Sequence, residues 1–91
     1  MTQTQLTAAV GRITEMERIF EVLTAYKSSD ARHSAIFCAL LRRLLRYYEG
    51  GQWLRDYALD EAGLLPRGLK RGVLSQDGVY DLLTELENRE G

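Results

Sequence analysis

Cysteine, histidine, proline and tryptophan are almost absent from this sequence, because each occurs once in 91 residues. The single Cys38 excludes an internal disulfide framework and a multi-cysteine zinc site, and it favours a protein of the reducing cytoplasm. His33 has no second histidine with which to build a metal cluster or a catalytic triad, so we expect a solvated or capping role for it. The composition therefore predicts neither a metal nor a cofactor.

Long hydrophobic segments are lacking as well. The longest uninterrupted apolar run, residues 35–41, is far shorter than the ~20 residues that a membrane span needs. Residues 1–7 are polar and lack the apolar core of a signal peptide. We therefore expect a cytoplasmic protein with no membrane-spanning segment.

The sequence also lacks an excess of charge of one sign. The net charge is −1, whereas a dedicated nucleic-acid-binding domain is usually strongly basic; nucleic acid is therefore possible but disfavoured as a partner. The 45% hydrophobic content is normal for a globular protein, and the length predicts one domain over residues 1–91. A chain this short has enough apolar material for one core but little for a deep catalytic cavity, which favours binding over catalysis.

Apolar residues recur at intervals of three and four, the spacing of one helix face, and no segment alternates as a strand would. We predict an all-α fold, a small bundle of three longer helices and one short helix. The predicted helices cover residues 4–26, 31–49, 52–62 and 76–87. Ser29 or Asp30 is expected to cap the second helix, and Ser75 the last.

The second predicted helix has an apolar arc covering about half its circumference, which includes Ile36, and it should therefore contact two or more neighbouring elements. Cys38 lies at the margin of this arc and is expected to be buried as a small hydrophobic residue. Four arginines share the opposite side of the helix: Arg32, Arg42, Arg43 and Arg46. They could follow a phosphate backbone, although ion pairs within the chain are the favoured interpretation.

Residues 63–74, here called the basic loop, have no helical or alternating period. Gly63 is predicted to end the third helix in the left-handed conformation. Apolar residues should hold the loop in place: Leu64, Leu65, Leu69, Val73 and Leu74.

The basic loop also carries Arg67, Lys70 and Arg71 among glycines. Such a segment could bind a phosphate or an acidic peptide. The alternative is that these cations pair with Asp56, Asp60, Glu61 or the acidic last helix. A Walker-type nucleotide site is rejected because the Lys-Ser/Thr pair and the preceding strand are both missing.

Four aromatic residues surround the Gly50-Gly51 turn: Tyr47, Tyr48, Trp53 and Tyr57. Aromatic side chains at such a corner usually complete a core, although stacking on a ligand is an alternative. Asp56 and Asp60 are one helical turn apart and could face a cation, but such pairs are more often solvated or bound to arginine. An enzyme would require carboxylates such as Asp56, Asp60 and Asp77 to converge on a pocket.

The second half of the sequence contains strings in a characteristic order: Gly51-Gln52-Trp53-Leu54, Asp60-Glu61-Ala62-Gly63-Leu64-Leu65-Pro66, and Leu69-Lys70-Arg71-Gly72-Val73-Leu74-Ser75-Gln76-Asp77-Gly78. Together with residues 12–20, they resemble a family of small bacterial proteins known as domain of unknown function 4298. The resemblance extends over residues 12–20 and 47–86. It implies a small helical fold and no activity.

Two functional hypotheses follow from these patterns. The first is a non-enzymatic protein-interaction module that binds a protein partner or a second copy of itself; an adaptor, or an inhibitor encoded by a mobile element, fits this description. The second is binding of a phosphate-bearing ligand or nucleic acid through the basic loop and the arginines of the second helix.

Overall fold

The computed structural model describes residues 2–75 and 77–90, the side chains of residues 88–90 excepted. Within these ranges it contains four α-helices, two short 3-10 helices and no strand. The α-helices are α1 (Gln3–Tyr26), α2 (Ala35–Glu49), α3 (Gln52–Glu61) and α4 (Gly78–Glu90), and the 3-10 helices span Asp30–His33 and Gly72–Leu74. The predicted all-α fold is confirmed, with α1, α2 and α4 as the longer helices and α3, of 10 residues, as the short one.

Polar side chains define where the first two α-helices begin. The Thr2 hydroxyl accepts from the Gln5 N–H while the Gln5 side chain accepts from the Thr2 N–H, a reciprocal cap. The prediction that the second helix begins at residue 31 was wrong. Ser29 instead caps the short 3-10 helix, and the Ser34 hydroxyl accepts the Phe37 N–H at 3.1 Å and starts α2. Because Ser29 and Ser34 each cap an element of their own, the predicted second helix is divided into a 3-10 helix and α2.

Helices α1 and α2 form an antiparallel pair. Glu15 of α1 forms an ion pair with Arg43 of α2, whereas Val22 and Tyr26 lie beside Ile36 at the other end of the pair. At 1.5 Å per residue α1 is about 36 Å long, and it accounts for most of the 43 Å long dimension of the molecule. Helix α2 and the two 3-10 helices pack directly along it, whereas α3 packs against α2 and the second 3-10 helix, and α4 packs against the second 3-10 helix.

The core is formed by side chains from α1, α2, α4 and the segment before α4. Ile13, Leu23 and Leu44 are fully buried. Among the described residues, the buried cluster consists of Ile13, Met16, Ile19, Leu23, Phe37, Leu44, Tyr47, Leu65, Val73, Leu74, Val79, Leu82 and Leu86. The apolar stripes predicted from spacing supply most of its members.

Two burial predictions were wrong. Leu64 is exposed, while its neighbour Leu65 is buried, so only one of the two adjacent leucines holds the loop. Cys38 is exposed, because α2 turns the margin of its apolar arc away from α1 and α3.

The last helix begins at Gly78 rather than at residue 76, and Gln76 lies outside the described residues. The Ser75 hydroxyl nevertheless accepts the Gly78 N–H at 3.1 Å, which is the cap expected of it. None of the helices in the described ranges has the length and apolar content required to span a membrane.

Candidate functional site

The second half of the basic loop is held by side chains from two helices. The Glu17 carboxylate of α1 accepts the Val73 N–H at 2.7 Å, and the Trp53 indole of α3 donates to the Val73 carbonyl at 2.8 Å. Val73 itself is fully buried. Both polar groups of a buried backbone residue are thereby satisfied by side chains, which fixes this part of the loop to α1 and α3.

Arg71 is engaged within the basic loop and the adjacent helix. Its guanidinium donates to the Asp60 carboxylate at 2.5 Å, to the Pro66 carbonyl at 2.6 Å and to the Leu69 carbonyl at 3.3 Å. A guanidinium has five donors in a fixed fork; here two bonds close the loop on itself and a third attaches it to α3. Arg71 therefore shapes the loop, as the ion-pair alternative anticipated.

Lys70 and Arg67 are placed differently. The Lys70 ammonium is 3.7 Å from the Glu21 carboxylate, and both side chains are exposed, so this pair contributes little. Arg67 is exposed and has no carboxylate within ion-pair distance among the residues that the structure describes. The three predicted loop cations thus do not act as one group.

A cleft of about 350 Å³ lies between the basic loop and α1. Lys70 and Leu69 line it from the loop, whereas Glu17, Arg18 and Glu21 line it from α1. Because carboxylates and cations alternate around its walls, the cleft is not a dedicated anion site.

The arginines of α2 lie on another side of α1. Arg43 reaches α1 at Glu15, whereas Lys70 of the loop reaches it at Glu21. Six residues along a helix correspond to a separation of about 120° around its axis. The two basic groups therefore do not merge into one patch.

The predicted aromatic corner lies between α2 and α3. Tyr47 is fully buried, and Tyr48 and Trp53 pack against the core. The Tyr48 and Trp53 rings meet edge to face with their centroids 5.1 Å apart, and Tyr57 stacks on Trp53 at 5.1 Å. Tyr47, Tyr48 and Trp53 thus belong to the core or pack against it, and Tyr57 covers Trp53. This packing is the usual role of aromatic side chains at a helix corner.

Asp56 is the centre of a buried polar cluster. Its side chain is 0% exposed; it accepts two bonds from the Arg12 guanidinium, at 2.9 and 2.6 Å, and one from the Tyr47 hydroxyl at 2.7 Å. Burial, together with the hydrogen bond to Asp56, raises the pKa of Tyr47 above its ordinary value. The same carboxylate raises the pKa of Arg12, so this guanidinium stays charged.

Asp56 and Asp60 therefore have different partners, Arg12 and Arg71, although they are one turn apart. Asp77 lies exposed before α4. Across the described parts of the chain, His, Cys, Asp and Glu side chains form no group of three or more that could hold a metal ion.

An apolar groove between α1 and α2 was not predicted as a site. Its volume is about 190 Å³, and it is lined chiefly by five side chains, here called the groove residues: Val22, Tyr26, Ile36, Phe37 and Leu40. Ile36 is 75% exposed, Tyr26 51% and Val22 41%. The available signal was the width of the apolar arc on the second helix, which is larger than one small core is expected to cover.

The sequence patterns also did not predict that Arg12 and Glu17 of α1 bind residues in the second half of the chain. Arg12 is 44 positions from Asp56, and Glu17 is 56 positions from Val73. No local spacing relates residues so far apart, and a charged residue on an amphipathic helix is normally assigned to its solvated face.

The fold and these contacts define a small all-α protein in which an ordered loop is fastened by side chains from two helices. The chain belongs to the family described as Domain of unknown function (DUF4298), which matches residues 13–89. The predicted family assignment is thereby confirmed. No curated protein and no solved structure matches the chain.

Proposed function

We propose that this protein is a non-enzymatic interaction module of the cytoplasm that binds another protein through the groove residues. The observation that carries the proposal is the exposure of Val22, Tyr26 and Ile36 side by side on two helices. Scattered exposed apolar residues are normal, but contiguous ones that line a groove typically mark an interaction site.

The energy available at this groove is appreciable. Complete burial of a large apolar side chain contributes about 1.5–3 kcal/mol. Scaled by the exposed fractions of Val22, Tyr26 and Ile36, covering the groove would contribute about 2.5–5 kcal/mol. Micromolar binding requires about 8 kcal/mol, so a partner must also contact the surface around the groove.

A non-enzymatic role is supported by how the acidic side chains are used. Asp56 and Asp60, which an enzyme would have needed in a pocket, each hold an arginine in an ion pair. A cytoplasmic location is supported by the exposed thiol of Cys38, since exposed free cysteines are compatible with a reducing compartment.

The alternative function, binding of a phosphate-bearing ligand or nucleic acid, has less support. It would depend on Arg67 and Lys70 of the loop and on the arginines of α2, which lie on another side of α1. The Arg71 guanidinium already binds Asp60 and the loop carbonyls. Salt-sensitive retardation of a short nucleic-acid duplex that is lost in Arg67→Gln would favour this alternative.

Comparative affinity capture tests the interaction proposal. Wild type, Ile36→Ser and Leu54→Ser are used as bait in lysate of the cells that produce the protein. Leu54 is a matched control because it is an exposed leucine on α3, away from the groove. We expect a protein that wild type and Leu54→Ser retain and Ile36→Ser loses, while the unfolding temperatures of all three remain close. Identical capture by all three baits would contradict the proposal.

A further inference from the structure

The groove residues continue into a positively charged strip on α2. Ile36, Ala39, Arg43 and Arg46 are spaced by three and four residues, so they share one side of the helix. All four are exposed. Residues 35–46 include no acidic side chain, so the strip changes from apolar to basic over about two turns.

The charge of this strip is only partly compensated within the chain. Arg43 is paired with Glu15, and both side chains are about half exposed. Arg46 and its neighbour Arg42 have no carboxylate within ion-pair distance in the part of the chain that the structure describes; Arg42 only approaches the Cys38 carbonyl at 3.5 Å. A partner seated in the groove would meet this uncompensated charge along its length.

We propose that the groove binds an amphipathic α-helix of another protein, with apolar anchors at one end and carboxylates about two turns further along. This inference rests on the proposed function and specifies its partner. A groove between two antiparallel helices is suited to a third helix. The other common mode, addition of a strand to a sheet edge, has no template in the described ranges because they contain no strand.

The positions of the arginines in the strip determine where a partner helix would carry its acidic residues. Arg43 and Arg46 follow Ile36 by seven and ten residues, which corresponds to about 10 and 15 Å along α2. A helix lying along this surface would therefore present Asp or Glu about seven and ten positions from its apolar anchors.

A second copy of this chain fits the surface less well. Packing α2 against α2 would bring the arginine strip against another arginine strip or against the apolar groove. The acidic α4 has one large exposed apolar side chain, Tyr80, among its described residues. A single anchor leaves much of the space between Tyr26 and Ile36 unfilled.

The test uses a display library of amphipathic helical peptides about five turns long, in which the positions around the apolar anchors are randomised. Selection is carried out on the full-length protein, and selected peptides are then measured by fluorescence anisotropy. We expect acidic residues to be enriched about seven and ten positions from the anchors. Binding should weaken as salt is raised.

Matched variants separate charge from apolar contact. Arg46→Gln should weaken binding of the selected peptides about two- to fivefold. Arg55→Gln should leave it unchanged, since Arg55 is an exposed arginine on α3 with no ion-pair partner in the described ranges. Ile36→Ser should weaken binding by at least about fivefold.

Other outcomes overturn the inference in distinguishable ways. Peptides with apolar anchors and no acidic preference, insensitive to Arg46→Gln, would refute the stated partner while the groove remained a binding site. Failure to select any peptide that depends on Ile36 would count against the proposed function as well. A wild-type dimer in sedimentation that Ile36→Ser and Tyr80→Ser both disrupt would make a second copy the occupant and refute the inference.

Discussion

Replacing Asp56 by alanine tests whether its buried cluster stabilises the fold. The substitution removes the acceptor of the Tyr47 hydroxyl and of two Arg12 hydrogen bonds. Tyr47 is completely buried, so its hydroxyl would lose its hydrogen-bond acceptor away from bulk water, which is costly. The guanidinium of Arg12 would remain charged without its counterion.

The expected loss of stability follows from these partners. Breaking a buried ion pair by removing one partner costs about 3–5 kcal/mol. The Arg12 side chain is 28% exposed and can recover some hydration, so we expect the lower end, about 3 kcal/mol. For a domain of this size that corresponds to a fall in melting temperature of about 12–24 °C.

Urea unfolding monitored by the fluorescence of Trp53, the only tryptophan, measures this loss. Asp30→Ala is the matched control, because Asp30 is exposed on the first 3-10 helix and should change the unfolding free energy by less than about 0.5 kcal/mol. In a double-mutant cycle, Arg12→Ala should add little once Asp56→Ala is present. A loss below about 1 kcal/mol for Asp56→Ala would refute the assigned role, since it would equal that of a typical neutral hydrogen bond.

Three further predictions concern other parts of the molecule. Gly72→Ala should lower the free energy of unfolding in urea by about 1–3 kcal/mol, because the added Cβ would lie 3.1 and 3.3 Å from the Glu17 carboxylate oxygens. Gly68→Ala is the control and should be neutral or slightly stabilising, since there is open space around Gly68. Equal losses for the two variants would contradict the close packing assigned to Gly72. The pKa of Tyr47 is raised above its ordinary value of 10.0, so its contribution to stability is present below that pH and lost as pH rises above it. Tyr47→Phe should therefore flatten the alkaline fall of the unfolding free energy, and an unchanged slope would speak against it. Cys38 should react with a thiol reagent in the native protein nearly as fast as in denaturant, whereas strong native protection would mean that the thiol is covered.

Periodicity within each helix was sufficient to predict the fold class and most of the core. Apolar residues such as Ile13 and Leu44 recur at helical spacing and are fully buried. Gly63 adopts the left-handed conformation expected at a helix end, with φ of 72°. These features depend on local geometry, which the order of residues specifies directly.

Burial at the margins of a helix could not be predicted in the same way. Cys38 and Ile36 lie at the two edges of the apolar arc of α2, and both are exposed. The arc gives the direction of the core, but its edges are buried only where a neighbouring element extends far enough. Leu64 and Leu65 differ for a related reason, since a loop without a period does not indicate which of two leucines faces inward.

The polar contacts of the site depend on tertiary structure. Spacing placed Asp56 and Asp60 on one helix face, but their partners come from α1 and from the basic loop. For Arg71 the ion-pair alternative included the correct carboxylate, Asp60, because only a few acidic residues are close to the loop. For Arg12 no feature of the sequence indicated burial against α3.

The double attachment of Val73 has a practical consequence for the segment that precedes it. Leu65 is buried on one side of Arg67, and Val73 is held by two hydrogen bonds on the other, so the intervening turn is anchored at both ends. Gly68 has no neighbouring atoms within 4 Å of an added Cβ. A fluorescent tag or an affinity peptide inserted between Arg67 and Gly68 would thus project into solvent from fixed points, beside a face of α1 different from the one that lines the groove.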